Sequence, residues 1–394
     1  MKWWGGRDFH GTKSVFGVIS AFGALFAVMA VVGCAYVIIA ALLTARHLSR
    51  PESTTLLFSA VSLIKPLHGI YPGMAAVLEG FCDQDYPAPV QIVFGVQDPA
   101  DPAIALIEDL QARRPDIDIE LVIDITQHGI NRKISNLINI TARARHPLLV
   151  HSDADIAVTP DYLRRVNAAL RVGGVGAVTC LYVGADDGSP WSRLGAMALN
   201  YGFLPNAVLG KVLGMAQPCF GSTIALTSTT LARIGGFQAF SNHLADDYEI
   251  GRAVRALGLT IAIPPMAVSH VCIEGSGSHL LDHELRWGRT VRQVDPAGYA
   301  GSLITYPFAL SLIAGALLGF SLPSLALIFA ALGVRLACKA CIDRATGARA
   351  GHWWLIPARD LLSFGVFIAS FTVNNVGWQG RRFRVGRDGV LSHP

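Results

Sequence analysis

The sequence predicts an α/β protein whose sheet is mostly parallel, with an N-terminal transmembrane anchor and C-terminal membrane helices. Of its 394 residues, 52% are hydrophobic and only 15% are charged, whereas an ordinary soluble domain has roughly 25% charged residues. No charged residue occurs in residues 15–45. Farther along, short apolar runs alternate with helical patterns, which is typical of a parallel sheet covered by helices.

Charge and hydropathy divide the chain into five parts. Residues 1–14 form an N-terminal tail, and residues 15–45 exceed the roughly 20 residues that cross a bilayer. Residues 46–295 have mixed composition and predict one α/β domain. Residues 296–377 contain most of two charge-free stretches, 296–334 and 361–380, and predict membrane helices. Residues 378–394 form a basic tail. Pro323 is expected to split the first stretch, so the number of C-terminal crossings stays open.

From residue 58 onward, strands and helices are expected to alternate. Apolar runs predict strands at 58–64, 90–96, 119–123, 148–153 and 176–182. Apolar residues at helical spacing predict helices from Pro72, from Asp101-Pro102, and at 131–144, 191–215 and 248–257. The segment at 191–215 has few charges, which fits either a helix on the membrane surface or a partly buried core helix.

Three aspartates are predicted at the carboxyl ends of strands. Asp153 and Asp155 follow the apolar run 148–150, and Asp98 follows the strand at 90–96. Ligands of open α/β sheets bind at this edge, and two carboxylates there are hard donors for a divalent cation that holds a diphosphate. Taken alone, an Asp-x-Asp motif is more often part of a solvated loop, so the surrounding motifs must decide whether it is a binding site.

Further candidates lie at predicted helix starts. Asp246 and Asp247 precede the helix at 248–257, where one acid is expected to cap the helix while the other points into the site. Asn131 and Lys133 begin another helix, whose N-terminus favours phosphate. Lys133 fits equally well as a solvated helix residue.

Five motifs together resemble one enzyme family. They are Val61-Ser62-Leu63-Ile64-Lys65-Pro66-Leu67-His68-Gly69, Val96-Gln97-Asp98 with Asp101-Pro102-Ala103, Gly129-Ile130-Asn131-Arg132-Lys133, Leu244-Ala245-Asp246-Asp247-Tyr248 and Arg286-Trp287. Their order resembles that of the ceramide glucosyltransferases of glycosyltransferase family 21, membrane enzymes with a GT-A catalytic domain. Two stretches, 218–223 and 283–287, are similar to bacterial relatives associated with hopanoid biosynthesis.

The resemblance implies a donor site. Asp98 would hold the uridine end of a UDP-sugar, and Asp153 with Asp155 would hold the diphosphate and a divalent cation, Mg²⁺ or Mn²⁺. Lys133 would bind the donor as well. Asp155 departs from the vertebrate enzymes, which have glycine there, so metal dependence should be at least as strong in this protein.

The resemblance also implies roles near the acceptor. Asp247 matches the catalytic base, which takes the proton of the acceptor hydroxyl. His283-x-x-Arg286-Trp287 resembles the Gln/Arg-x-x-Arg-Trp motif, in which Arg286 and Trp287 close over the diphosphate and the acceptor. His283 departs from that motif, so its role stays open between acceptor and diphosphate, as does that of Asp246.

These features predict an inverting, metal-dependent transfer of a hexose from a UDP-sugar to the hydroxyl of a membrane lipid. Two substrate pairs remain open: UDP-glucose with ceramide, and UDP-N-acetylglucosamine with a ribosylated hopanoid. A processive polysaccharide synthase needs more membrane helices than are predicted here. A non-catalytic membrane scaffold predicts loss of the acidic residues, and all of them are present.

Composition also limits the possible partners of the protein and its cellular compartment. A net charge of +4 without a basic stripe gives no indication of nucleic acid binding, so the expected partners are the UDP-sugar, the lipid and the bilayer. The oligomeric state stays open. Seven scattered cysteines, an odd number, indicate a reducing compartment. Together with the resemblance to bacterial relatives that use UDP-sugars, which are made in the cytosol, this implies a catalytic domain on the cytosolic side of a bacterial inner membrane.

Overall fold

The structure, a computed structural model, describes residues 9–372, 376–378, 381–385 and 391–392. Residues 1–8 of the predicted N-terminal tail and parts of the predicted basic tail therefore lie outside the described residues. Within them the α-helices are α1 (Phe9–Leu48), α2 (Met74–Cys82), α3 (Ala103–Arg113), α4 (Arg132–Thr141), α5 (Tyr162–Leu170), α6 (Pro190–Ala198), α7 (Leu204–Val212), α8 (Ser228–Arg233), α9 (Asp246–Ala256), α10 (Gly277–Val294), α11 (Pro296–Gly301), α12 (Pro307–Leu317), α13 (Leu322–Thr346) and α14 (Ile356–Ala369). The strands are β1 (Val61–Pro66), β2 (Val90–Val96), β3 (Asp118–Ile123), β4 (Leu148–His151), β5 (Ile156–Ala157), β6 (Val175–Thr179), β7 (Leu181–Asp186), β8 (Ile224–Thr227), β9 (Thr260–Ala262), β10 (Ala267–Cys272), β11 (Val376–Trp378), β12 (Arg381–Val385) and β13 (Leu391–Ser392).

The central sheet has seven strands in the order β3-β2-β1-β4-β8-β6-β9. Strand β1 runs parallel to β2 and β4, and β2 runs parallel to β3, whereas β8 is antiparallel to both of its neighbours. The prediction of a mostly parallel sheet is therefore confirmed. A smaller sheet, of order β5-β10-β7, begins shortly after β4.

Both faces of the central sheet are buried. Leu63 belongs to one apolar cluster with Phe81 of α2, and the next residue, Ile64, belongs to a second cluster with Leu137 of α4. Successive side chains of a strand point to opposite faces of the sheet, so helices cover each face. This two-sided burial explains why the strands appear in the sequence as nearly continuous apolar runs.

Three strands differ from their predicted bounds. Strand β1 begins at Val61 rather than at residue 58, and β4 ends at His151 rather than at residue 153. The strand predicted at 176–182 is two strands, because β6 ends at Thr179 in the central sheet and β7 begins at Leu181 in the smaller one. Cys180 between them is fully buried. An apolar run in the sequence indicates that its residues are buried, but it does not indicate which sheet they join.

The helix predicted at 191–215 consists of α6 and α7, joined by a π-helical turn at Leu199–Phe203. Ala196 and Tyr201 are buried, and α7 packs against α1. Most of this helix is therefore part of the core, which agrees with the second of the two alternatives. Its C-terminal end is exposed from Val212 onward.

Two of the described helices are long and apolar enough to cross a membrane, namely Gly17–Leu48 within α1 and Leu322–Thr346, which is α13. A third span is present if the bent pair Pro296–Thr305 and Pro307–Leu317, which meet at 69°, counts as one. The stretch 296–334 is divided, but not at Pro323: helix α12 ends at Leu317, and Pro323 lies in the first turn of α13. Helix α14 has 14 residues, so it is about 21 Å long, shorter than the roughly 30 Å hydrocarbon core.

Candidate active site

A crevice of about 960 Å³ opens beyond the carboxyl end of β4. It lies between the segment after β4, the start of α9, the loop at 214–222 and helix α10. Of the nine residues singled out from the sequence, eight line it: Lys133, Asp153, Asp155, Asp246, Asp247, His283, Arg286 and Trp287. The rule that open α/β sheets bind ligands at their carboxyl edge therefore located the crevice.

Asp153 is surrounded by cationic and polar groups. Its Oδ1 lies 2.6 Å from Nζ of Lys133 and 3.4 Å from Nε2 of His151. Its backbone carbonyl accepts a 2.8 Å hydrogen bond from the ammonium of Lys65. Burial alone would raise the pKa of Asp153, but the charge of Lys133 overrides it and holds that pKa well below its usual range. The carboxylate is therefore ionised at any physiological pH.

Asp155 presents one free oxygen. Its Oδ2 lies 3.3 Å from Nε2 of His270, while its Oδ1 is buried without a hydrogen-bond partner. A buried, unpaired carboxylate oxygen beside a second carboxylate fits a divalent cation. In the part of the chain that the structure describes, no cluster of three metal-binding side chains occurs. The two carboxylates themselves are the kind of donors with which proteins hold Mg²⁺ or a similar cation together with substrate phosphates.

Lys133 connects the acidic residues on two sides of the crevice. It lies in the first turn of α4, whose N-cap is Asn131. Its Nζ is 2.6 Å from Asp153 and 3.5 Å from Asp246, and its side chain is 22% exposed. The alternative of a solvated helix lysine is therefore wrong, because this ammonium is engaged inside the crevice. Its binding of the donor stays a prediction.

Asp246 and Asp247 form the first turn of α9, whose N-cap is Ala245. The expectation that one acid caps the helix is thus wrong. Oδ2 of Asp247 accepts a 3.1 Å hydrogen bond from the amide of Gly221, and Oδ1 accepts one of 2.8 Å from the amide of Tyr248. Burial, and next the negative charge of Asp246, raise the pKa of Asp247 to about 6.

Helix α10 carries the third group of residues. Nδ1 of His283 lies 2.8 Å from a carboxylate oxygen of the buried Glu274, and its ring centroid is 4.5 Å from that of Trp287. The edge-to-face ring contact and this polar contact hold the histidine against the wall of the crevice. Within the described residues, the guanidinium of Arg286 forms neither a hydrogen bond nor an ion pair, so its donors are available to a ligand.

Asp98 is placed apart from the other predicted residues. It is exposed and does not line the crevice, although the preceding Gln97 does. Its Oδ1 accepts a 2.9 Å hydrogen bond from the amide of Ala100, and its carbonyl accepts one from the amide of Asp101. This turn after β2 directs the carboxylate to its own backbone. Asp98 therefore does not line the crevice that Asp153 lines, and a uridine role for Asp98 stays a prediction.

Three contributors to the site were missed at the sequence level. Lys65 is fully buried and lies 3.7 Å from the ring centroid of Phe81; burial lowers its pKa to about 7. A lysine inside an apolar strand was a visible signal. Gly221 leaves no room for a side chain, since a Cβ there would lie 2.7 Å from Oδ2 of Asp153. His270 gave no signal, because nothing in its neighbourhood in sequence points to Asp155.

The chain is similar to known proteins of one kind. The model of glycosyl transferase family 21 matches residues 25–391. Ceramide glucosyltransferase 1 of Caenorhabditis elegans is 22% identical over 361 residues, which cover 88% of this chain and 75% of that protein. The ceramide glucosyltransferase of Candida albicans is 29% identical over 142 residues, 33% of this chain and 26% of that protein.

A solved structure resembles this fold. It is a mannosyltransferase from Pyrobaculum calidifontis in complex with GDP-Man and Mn²⁺, with a TM-score of 0.54 and 19% identity. The match covers 88% of this chain and 98% of that one. The likeness concerns the fold, and with the family match it confirms the predicted GT-A architecture.

Proposed function

The chain belongs to glycosyl transferase family 21, and we propose that it transfers one hexose from a UDP-sugar to a hydroxyl of a membrane lipid, with inversion at the anomeric carbon. UDP-glucose and ceramide are the proposed substrates, since the similar proteins are named ceramide glucosyltransferases. The observation that carries the proposal is a single crevice lined by Asp153, Asp155, Asp247 and Arg286, in a chain with membrane helices.

The donor diphosphate is proposed to lie between the Asp153 side of the crevice and α10. The unpaired guanidinium of Arg286 offers a planar fork of donors for phosphate oxygens, and Trp287 provides an apolar wall. Asp153 and Asp155 would hold the divalent cation, which when bound offsets the negative charge that develops on the leaving UDP. Lys133 is proposed to orient Asp153 and to contact the donor.

Asp247 is proposed as the base. With a pKa of about 6, it is largely ionised at neutral pH and still basic enough to accept a proton. The oxygen of the acceptor hydroxyl forms a bond to the anomeric carbon from the face opposite UDP. The bond from that carbon to the β-phosphate oxygen breaks, its electrons leave with UDP, and the hydroxyl proton passes to Asp247. Attack opposite the leaving group inverts the anomeric configuration.

Asp246 and His283 are proposed as supporting residues. The negative charge of Asp246 raises the pKa of Asp247. Oδ2 of Asp246 also lies 3.5 Å from Nζ of Lys133, so Asp246 helps to position that ammonium. His283 contacts Trp287 and lines the same wall, where an acceptor head group would pass.

The test uses the purified full-length protein in detergent with Mn²⁺ or Mg²⁺. UDP release is measured with UDP-glucose and with UDP-N-acetylglucosamine, each combined with ceramide and with a ribosylated hopanoid. We expect turnover with UDP-glucose and ceramide, loss of turnover with a chelator, and recovery on adding metal. Turnover only with the amino sugar and the hopanoid would reassign the substrates. No turnover with any pair would overturn glycosyl transfer to lipid.

A further inference from the structure

The mouth of the crevice differs in character from its interior. Inside, charged and aromatic side chains line the crevice together, but at the rim Met215 and Val291 line it while being 69% and 51% exposed. Leu213 beside Met215 is 57% exposed. Exposed apolar groups on both sides of an opening are unfavourable in water and favourable against hydrocarbon.

One side of this mouth lies close to the C-terminal end of α1, where the N-terminal span ends. Helix α7 packs against α1 and ends at Val212, directly before Leu213. Burial, and next the positive charge of Arg50, lower the pKa of Lys211 to about 8. Arg50 follows the end of α1 by two residues, so the end of α7 lies at the level where the N-terminal span emerges.

The other side of the mouth leads into the C-terminal membrane helices. Val291 and Val294 lie in the last turns of α10, and both line the crevice. Only Asp295 separates α10 from the bent pair that begins at Pro296. The two sides of the mouth therefore lie next to the C-terminal end of the span in α1 and next to the start of the bent, apolar helix pair.

A single loop connects the mouth to the proposed base. Residues 214–222 line the crevice throughout, and the amide of Gly221 donates to Asp247. Gly221 is six positions after Met215, so the path between them is at most about 22 Å. An amphiphile with its hydroxyl at Asp247 can therefore extend a hydrocarbon chain along this loop to the rim.

We propose that the apolar mouth between residues 212–217 and the last turns of α10 binds the hydrocarbon chain of the lipid acceptor as it enters from the bilayer. The occupant is a long-chain lipid with a primary hydroxyl head group. This inference rests on the proposed function and adds the place where its lipid substrate is held.

The first test replaces rim residues by glutamate and leaves the charged interior unchanged. Met215→Glu and Val291→Glu are compared with Ile125→Glu, an exposed residue (67%) that does not line the crevice. With UDP-glucose and long-chain ceramide in mixed micelles, we expect each rim variant to raise the KM for ceramide on the order of tenfold. The KM for UDP-glucose, and transfer to a water-soluble short-chain ceramide, should stay unchanged. Equal effects in the control, or an unchanged ceramide KM, would overturn the proposal.

The second test does not depend on turnover. A ceramide with a photoreactive diazirine in its acyl chain is irradiated with the full-length protein in vesicles, and the labelled peptides are mapped. We expect label in residues 212–217 or 290–295, and its loss in the Met215→Glu/Val291→Glu double variant. Label confined to α1, α12 and α13, or label that the double variant retains, would overturn the site. If the wild-type chain transfers no sugar yet labels at the rim, the proposed function fails while the lipid site stands.

Discussion

The two walls of the crevice differ in charge and in what holds them. The acidic wall, formed by Asp153, Asp155, Asp246 and Asp247, comes from the segment after β4 and from the start of α9. The helical wall, formed by His283, Arg286 and Trp287, is one face of α10. The acidic wall is held by neighbours within the α/β domain, such as the ammonium of Lys133 between Asp153 and Asp246.

The helical wall is held by Glu274 of the α/β domain and, in addition, by helices of the C-terminal region. Both carboxylate oxygens of Glu284 on α10 accept 2.7 Å hydrogen bonds from Arg359 of α14. Asp360, the next residue, accepts two 2.8 Å bonds from Arg335 of α13. Arg359 and Asp360 are both buried. The acidic residues are thus positioned by the fold of one domain, whereas the position of Arg286 and Trp287 on α10 also depends on helices α13 and α14.

Asp247→Asn tests the acidic wall and has the largest expected effect. The substitution keeps the size of the side chain and removes the proposed base, so we expect kcat for sugar transfer to fall by about 10²–10⁴-fold. The KM for the UDP-sugar should change little, since the hydrogen bonds of this carboxylate among the described residues are to backbone amides. UDP release with saturating lipid measures both.

The matched control for this variant is Asp109→Asn. Asp109 is an exposed acid that pairs with Arg113 on the surface of α3, and its loss should leave kcat unchanged. Sugar transfer at the wild-type rate by Asp247→Asn would remove Asp247 from the role of base and leave the acidic wall with a binding role only.

Glu284→Gln tests the link between the helical wall and the membrane helices. It leaves the guanidinium of Arg359 buried without its counter-charge, which costs about 3–5 kcal/mol in the free energy of unfolding. The double variant Glu284→Gln/Arg359→Met removes both charges and should recover most of that stability. Because α10 is then no longer pinned by the ion pair, we expect the KM for the UDP-sugar to stay raised. Thermal unfolding in detergent and donor kinetics measure the two effects.

Asp360→Asn is the control that separates position from stability. It leaves Arg335 uncompensated in the same membrane region, but that pair joins α13 to α14 and does not touch α10. We expect a comparable loss of stability with an unchanged donor KM. If both variants raise the donor KM equally, the two walls do not differ in how they are held.

The sequence predicted the acidic wall far better than the helical wall. Asp153 and Asp155 could be placed because a short apolar run followed by acids is a local pattern, and parallel strands end at one edge of a sheet. Asp98 followed the same rule, yet its carboxylate turns back to the amide of Ala100, a detail of loop conformation that residue type does not reveal.

The partners of the helical wall could not be predicted, because they are distant in sequence. Glu284 and Arg359 are separated by 75 residues, and neither belongs to a local pattern. Glu274, which holds His283, lies nine residues away from it across the start of α10. The sequence shows that His283 departs from the motif, but only the folded chain shows that Glu274 is its partner.

The pH dependence of activity has the smallest expected effect, and it shows which of the two walls carries the titrating group. A base acts only when ionised, so kcat/KM should rise with pH, about tenfold per unit well below 6, and level off above the pKa of about 6 for Asp247. Asp246→Asn removes a like charge that raises this pKa, so the midpoint should move to lower pH. Glu284→Gln, which acts on the helical wall, should leave the midpoint where it is. A midpoint that changes in Glu284→Gln and stays unchanged in Asp246→Asn would mean that the titrating group is not Asp247.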